Sequence, residues 1–332
     1  MSLIPEVFVI FFRDKSIAIL LQDVKTPTSS HLLVEMKSAT KPRIAGIGEI
    51  LWDVFPEGGR LGGAPTNFAC HCRQLGNEAF PVSCVGDDDL GRQTRLELER
   101  LGVSDEFLQT SDTHPTGRVL VSLDASGKPS YEILENVAWD HLRFTPEMRE
   151  LAESLDAACF GILSQRADES RETIHAFLRH MPAGSLKILD VNLRADFFTA
   201  ERIEGSLHLA SVLKLSDEEL PVLAGFFELK GNMTDQMETL RERFDLDLVA
   251  CTRGSEGSLL VSAEETVSAA AVEVEAIDSV GAGDSFTAAL CTGLLRKQPP
   301  SHINRFANAV AAFVCSRPGA CPRLPRSLEI GP

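Results

Sequence analysis

No long apolar run occurs in this sequence. Residues 7–12 and 17–21 come closest, and Arg13, Asp14 and Lys15 interrupt them. Neither run could span a bilayer. A secretory leader would put basic residues ahead of its apolar core, an order not found here. No membrane partner is expected. An excess of basic charge is missing too: 32 Lys and Arg face 48 Asp and Glu, for a net charge of -16. Duplex nucleic acid needs a basic face, so it is excluded as a partner. Nucleotides are not excluded, because backbone N–H groups and a metal can bind their phosphates. Tyrosine is scarce, with one in the chain, and only the region near Trp52 and Trp139 offers apolar or aromatic residues around a base. Gly46-Ile47-Gly48 lacks the third glycine of a dinucleotide fingerprint, and no helix follows it at once, which argues against a dehydrogenase. Cys70-His71-Cys72 lacks a second pair at ligand spacing and reads as helix rather than a zinc site. The 8 cysteines fall largely in apolar segments, which predicts free thiols in a reducing cytoplasm.

What is present is ordinary globular material: 332 residues, 44% hydrophobic and 24% charged. Residues 1–41 read as an N-terminal extension ending in a polar linker, and 42–332 as one domain. Apolar strand patterns alternate with helical ones from Ile44 onward, and steadily after Thr145. That order predicts an α/β fold, a three-layer sandwich around a mostly parallel sheet. In such sheets ligands sit beyond the carboxyl ends of the strands. Polar clusters lie at those predicted ends, among them Asp190-Val191-Asn192, Ser216-Asp217-Glu218-Glu219 and Thr252-Arg253-Gly254. Segments 117–123 and 130–135 flank turn residues and alternate in polarity, which predicts an antiparallel hairpin standing off the sheet.

The chemistry concentrates at Asp278-Ser279-Val280-Gly281-Ala282-Gly283-Asp284. Val272, Val274 and Ile277 lead in and read as a strand; an apolar helical pattern follows. Glycines let backbone N–H groups face outward at a tight turn, and the helix adds unpaired N–H groups and a positive dipole end. The result suits an anion, with the Asp284 carboxylate at its edge. An anion hole beside a carboxylate fits phosphoryl transfer. A plain turn with a capping aspartate would read the same way in isolation. A second glycine turn, Gly62-Gly63-Ala64-Pro65, opens a second helix with Asn67 in its first turn.

Gly62-Gly63-Ala64-Pro65-Thr66-Asn67 and Asp278-Ser279-Val280-Gly281-Ala282-Gly283-Asp284 together resemble the two signatures of the PfkB, or ribokinase-like, carbohydrate kinases, closest to bacterial fructokinases. The likeness runs from about Ile44 to about Pro322. It implies a ribokinase-like sandwich with a small β-lid drawn from about 52–56, 79–84, 117–123 and 130–135. It also implies ATP with Mg2+, a sugar substrate, a K+ ion and a homodimer through the lid. Asp284 would be the base, with Gly281, Ala282 and Gly283 holding the phosphoryl oxygens. Asp53, Gly62, Gly63, Asn67, Arg166 and Asn192 would bind the sugar. Lys214, Thr252, Gly254, Gly257 and Asn308 would serve the nucleotide. Glu219 would order Mg2+ largely through water; it ends a motif whose first position is Ser216 here, where the family has Asn. Asp278, with carbonyls of Val280, Val314, Arg317 and Gly319, would hold the monovalent cation. Arg194 either reaches the ligand or is a buried arginine bonded to carbonyls. Trp139 either covers the sugar or packs the lid base.

Fructose leads among the substrates implied, with ribose, 2-keto-3-deoxygluconate and a nucleoside behind it. A non-catalytic sugar-binding regulator on the same fold is the rival from another class, and an intact Asp284 argues against it.

Overall fold

The computed structural model describes residues 41–55, 58–123 and 129–329. The expected extension lies outside the described residues apart from Lys41, as does the hairpin turn at 124–128.

The chain begins with β1 (Arg43–Ile47), β2 (Leu51–Phe55) and β3 (Gly58–Gly62), then α1 (Ala64–Gln74), β4 (Glu78–Gly86) and α2 (Asp89–Leu101). Strands β5 (Leu108–Ser111), β6 (Gly117–Leu123) and β7 (Pro129–Ile133) follow. The chain then alternates: α3 (Pro146–Ala152), β8 (Ala157–Phe160), α4 (Asp168–His180), β9 (Leu186–Asp190), α5 (Ala200–Leu207) and β10 (Val212–Ser216). Helices α6 (Leu220–Phe227) and α7 (Met233–Arg243) precede β11 (Leu248–Thr252), β12 (Ser258–Ser262) and β13 (Thr266–Ala269). Helices α8 (Ala282–Leu295), α9 (Pro300–Cys315) and α10 (Arg326–Glu329) close the fold.

The central sheet runs β13-β12-β11-β10-β9-β8-β1-β4-β5. Pairings from β5 to β11 are parallel, and β12 and β13 are antiparallel. Both faces are covered, which explains why its strands read as unbroken apolar runs. Successive side chains point to opposite faces. Ala45, Phe160, Leu189 and Leu213 join one core with α3 to α7. Ile44, Cys159, Ile188 and Val212 join the other with α1, α8 and α9. From β1 the chain fills one side through β4 and β5, then the other from β8. That reversal places a crevice outside the carboxyl ends of β1 and β8.

A second sheet, ordered β3-β2-β6-β7, forms the lid. The expected hairpin is real: β6 pairs antiparallel with β7. Segment 79–84 does not belong to the lid. It lies in β4, between β1 and β5 of the central sheet, and is buried throughout. The lid strand missed is β3, Gly58–Gly62, antiparallel to β2. Its sequence, Gly-Gly-Arg-Leu-Gly, carries no apolar alternation, and glycine is depleted in strands. The lead-in to Gly281 is not a strand either. Ile277 and Asp278 donate their N–H groups to the Cys315 carbonyl at the end of α9 rather than to a strand partner.

Among the described residues, no helix is long and apolar enough to cross a membrane. All eight cysteines are free, and no group of three or more His, Cys, Asp or Glu could hold a metal ion.

Candidate active site

Gly281 caps α8 with φ of 80°, in the left-handed region. A Cβ there would lie 2.2 Å from the Ala320 carbonyl oxygen, so the turn needs glycine twice over. Gly281→Ala should destabilise the fold by about 1–3 kcal/mol, the usual cost of a forced backbone conformation. Urea unfolding of the purified variant measures this.

Asp284 sits in the first turn of α8. Asn67, on α1, donates from Nδ2 to Asp284 Oδ2 at 2.8 Å. The two glycine turns, far apart in sequence, therefore meet at one carboxylate. Burial, and after it the nearby Asp190 charge, push Asp284 up to about 6. The Asn67 hydrogen bond, Lys214 and Arg194 pull the other way. A carboxyl near 6 is still charged at neutral pH and is basic enough to take a proton from a hydroxyl.

A cavity of about 660 Å³ opens in front of it. Its floor comes from the core: Glu49, Gly63, Asn67, Asn192, Lys214 and Asp284. Its roof comes from the lid, with Asp53, Gly62, Val119, Tyr131 and Ile133. Asp53 lies on β2, its carboxylate over Gly62, where a Cβ would approach Oδ2 to 3.1 Å. Burial raises Asp53 from the usual carboxylate range, against Arg194 and Arg60. Carboxylates and an amide on rigid elements suit a molecule rich in hydroxyls.

Other expected residues stand elsewhere. Arg166 does not line the cavity. Its buried guanidinium holds Asp140 through two contacts of 2.8 Å and donates to the Leu134 carbonyl at 2.6 Å. It also stacks 4.0 Å over Trp139, which is 1% exposed and packs the lid base. The buried-arginine alternative thus falls on Arg166, whereas Arg194 lines the cavity. Asn308 is buried in α9 and spends its amide donors on Ser258 and Asn304, away from the cavity. Thr252, Gly254 and Gly257 form the neighbouring loop, tied to the Ser216 loop where Asp217 N donates to the Thr252 carbonyl. Glu219 accepts from Leu193 N and Ser216 N, each at 2.8 Å, and so staples the ends of β9 and β10 together. The Ser216 hydroxyl accepts from Glu219 N, which makes it a turn-forming residue. Asp278 accepts from Val280 N and Gly319 N, each at 3.0 Å. Val314 and Arg317 lie at and just beyond the end of α9, and the Val314 carbonyl accepts from Arg317 N.

Glu49 has no role in the sequence reading, and Asp190 enters it only as part of a polar cluster at a strand end. Glu49 is 2% exposed; Oε1 accepts from Ala64 N and Oε2 has no partner. Burial pushes its carboxyl up to about 7. Asp190 ends β9 and accepts from Lys214 and Thr287. The one signal available was an acid closing an apolar strand.

A glycine turn at a helix N-terminus, a raised carboxylate and a lidded cavity at the carboxyl edge of a parallel sheet are an arrangement suited to phosphoryl transfer. Residues 58–326 match the pfkB family of carbohydrate kinases, and the chain belongs to that family. It is an ATP-dependent sugar kinase, fructokinase-like in its relatives. A sugar kinase of Pyrococcus horikoshii is 31% identical, over 83% of this chain and 91% of that protein. The crystal structure of that kinase in complex with ATP superposes with a TM-score of 0.73 at 30% identity, covering 86% of this chain and 96% of that one. The Escherichia coli fructokinase is 30% identical over 75% of this chain and 83% of its own length. The aminoimidazole riboside kinase of Salmonella typhimurium is also 30% identical, over 84% of this chain and 91% of its own.

Proposed function

We propose that the chain transfers the γ-phosphoryl group of ATP to a primary hydroxyl of fructose. The observation that carries this is Asp284, held by Asn67 and facing the cavity that Asp53 roofs. The sugar hydroxyl gives its proton to Asp284 as its oxygen bonds to the γ-phosphorus. The bond from that phosphorus to the β,γ-bridging oxygen breaks, and ADP leaves. N–H groups of Gly281 and Gly283 stabilise the charge on the moving oxygens, whereas that of Ala282 donates to the Ser279 carbonyl at 3.3 Å. The lid keeps water, a competing acceptor, away.

Mg2+ belongs to this reading. Such an ion arrives on the nucleotide phosphates and keeps several of its waters. Glu219 would receive those waters. K+ would sit beside Asp278, where the Arg60 guanidinium now lies 3.4 Å from Oδ2. A homodimer through the lid, which exposes Leu120 and Tyr131, is part of the proposal. So is a cytoplasmic setting, where free thiols persist.

The test is ADP release from purified protein with MgATP across fructose, ribose, aminoimidazole riboside and 2-keto-3-deoxygluconate. Fructose should give the highest kcat/KM; a preference for another sugar overturns that assignment. Asp53→Ala should raise the KM for the sugar about 10- to 100-fold, since a hydrogen bond to a charged group is worth about 1.5–3 kcal/mol. One observation favours 2-keto-3-deoxygluconate as a second reading. Arg194 lines the cavity and donates to the Leu193 carbonyl; its charge acts on Asp53 and Asp284, but among the described residues no carboxylate forms an ion pair with it within 4 Å, so a substrate carboxylate could.

A further inference from the structure

Cys70-His71-Cys72 is helical, as its sequence suggests, and the helix gives its histidine an unusual place. His71 lies on α1 one turn beyond Asn67 and is 0% exposed. Positions i, i+4 and i+7 share one helix face, so Gln74 continues the line. Each member of this polar stripe holds something behind the active site. Asn67 donates to Asp284 at 2.8 Å. His71 Nε2 lies 2.9 Å from the Ala320 carbonyl oxygen. Gln74 donates to the Pro322 carbonyl at 3.2 Å and accepts from Leu324 N at 2.8 Å.

The histidine bond has one direction. A carbonyl only accepts, so Nε2 carries the proton and donates. Nδ1 is buried without a partner, which suits the bare nitrogen of a neutral ring. Burial pushes His71 down to about 4, so the ring is neutral at neutral pH. Ala320 matters for what lies against it. Its carbonyl oxygen is the atom that a Cβ on Gly281 would meet at 2.2 Å. On one side of it, Gly319 N donates to Asp278 at 3.0 Å. On the other, Cys321 Sγ donates to Asn67 Oδ1 at 3.5 Å. That contact turns the Asn67 oxygen toward Cys321 and leaves its Nδ2 for Asp284. Residues 319–321 therefore touch the Asp278 to Gly281 turn and the Asn67 amide together, and His71 holds their middle.

We propose that His71 is a positioning residue for the transfer: through the Ala320 carbonyl it fixes residues 319–321 as a strut between the Gly281 turn and the Asn67 amide, and so sets the placement of Asp284. This rests on the phosphoryl-transfer reading above. His71 does not line the cavity and touches neither substrate, so its effect passes through groups that do. Fixed placement of reacting groups is a large share of what such a site supplies, and supporting hydrogen bonds behind them provide it.

The experiment compares His71→Gln, His71→Asn and His71→Leu in the full chain, with MgATP and the preferred sugar. Glutamine puts an amide N–H where Nε2 stands. Asparagine is shorter and ends at the Nδ1 position, and leucine has no donor. His71→Asn and His71→Leu should lower kcat about 10- to 100-fold, the cost of a displacement of about 1 Å at the reacting groups. The KM for sugar and for MgATP should stay within roughly threefold, and His71→Gln should keep kcat within roughly threefold. Rates are taken per folded molecule, well below each variant's unfolding temperature. A residue that only stabilises the fold would lower Tm and leave that rate unchanged, and such a result overturns the proposal. So does a His71→Gln rate as low as that of His71→Leu. If His71→Leu does not fold, the contrast between His71→Asn and His71→Gln decides. If the wild type turns over no sugar, the function proposed above fails separately, and deuterium exchange reads the strut without turnover. Amides of residues 278–285 should then exchange about tenfold faster in His71→Asn than in His71→Gln, in line with the loss of one buried hydrogen bond. Equal exchange in the two variants overturns the proposal.

Discussion

Asp284→Asn should lower kcat by about 10²–10⁴-fold, the usual contribution of a positioned general base. Sugar and ATP should still bind, because asparagine keeps the shape and its carbonyl oxygen can still accept from Asn67 Nδ2. The side chain would no longer take a proton. In the wild type, kcat/KM should rise with pH through the Asp284 titration at about 6. The sign follows from the role: the base works only when deprotonated, so activity is lost as the pH falls through that value. Burial is the main cause of the raised value, with Asp190 adding to it. Asp284→Asn should therefore remove the limb along with the turnover. Steady-state kinetics between pH 5 and 8, with sugar binding followed by calorimetry, checks both. A variant with wild-type kcat would mean that another group takes the proton.

Arg166→Met should be the most destabilising single change on the lid side, by about 3–5 kcal/mol. Arg166 and Asp140 have side chains 5% and 4% exposed. Removing the guanidinium strands the Asp140 carboxylate in a dry environment, with one N–H from Val137 left to it. The stacking on Trp139 and Phe197 goes as well. So does the hydrogen bond to Leu134, just past the end of β7, through which the arginine ties the lid to the core. Urea unfolding reads the loss. Arg166→Met with Asp140→Leu should recover much of it, since an apolar pair often replaces a buried ion pair at little cost. A single variant as stable as wild type would show that the pair is not what anchors the lid.

These two residues mark how far the sequence could be read. Asp284 could be singled out because the pattern around it is local: two glycines, a helix start and a carboxylate within a few positions. Asn67 was legible for the same reason, through a second glycine turn. Arg166 was not, because its meaning depends on Asp140, on a carbonyl in the lid, and on rings from two other segments. Its assignment to the sugar followed the family resemblance, and packing overruled it. Strand β4 shows the same limit in the fold. Its apolar run announced a strand, but a run has no address, and burial on both faces is what places it in the central sheet. Strand β3 was invisible because glycine carries no pattern.

The sequence by itself determined the layered α/β order, through hydrophobic period, and the tight turn that opens α8, through two glycines within three positions. Both are short-range properties. The tertiary structure alone decided which charges meet. It joined Asn67 to Asp284, set Lys214 on Asp190 under Gly283, left Glu49 with an unpartnered oxygen, and sent Arg166 to the lid base. The physical reason is that a side chain's protonation and reach depend on its burial and on neighbours contributed by distant segments.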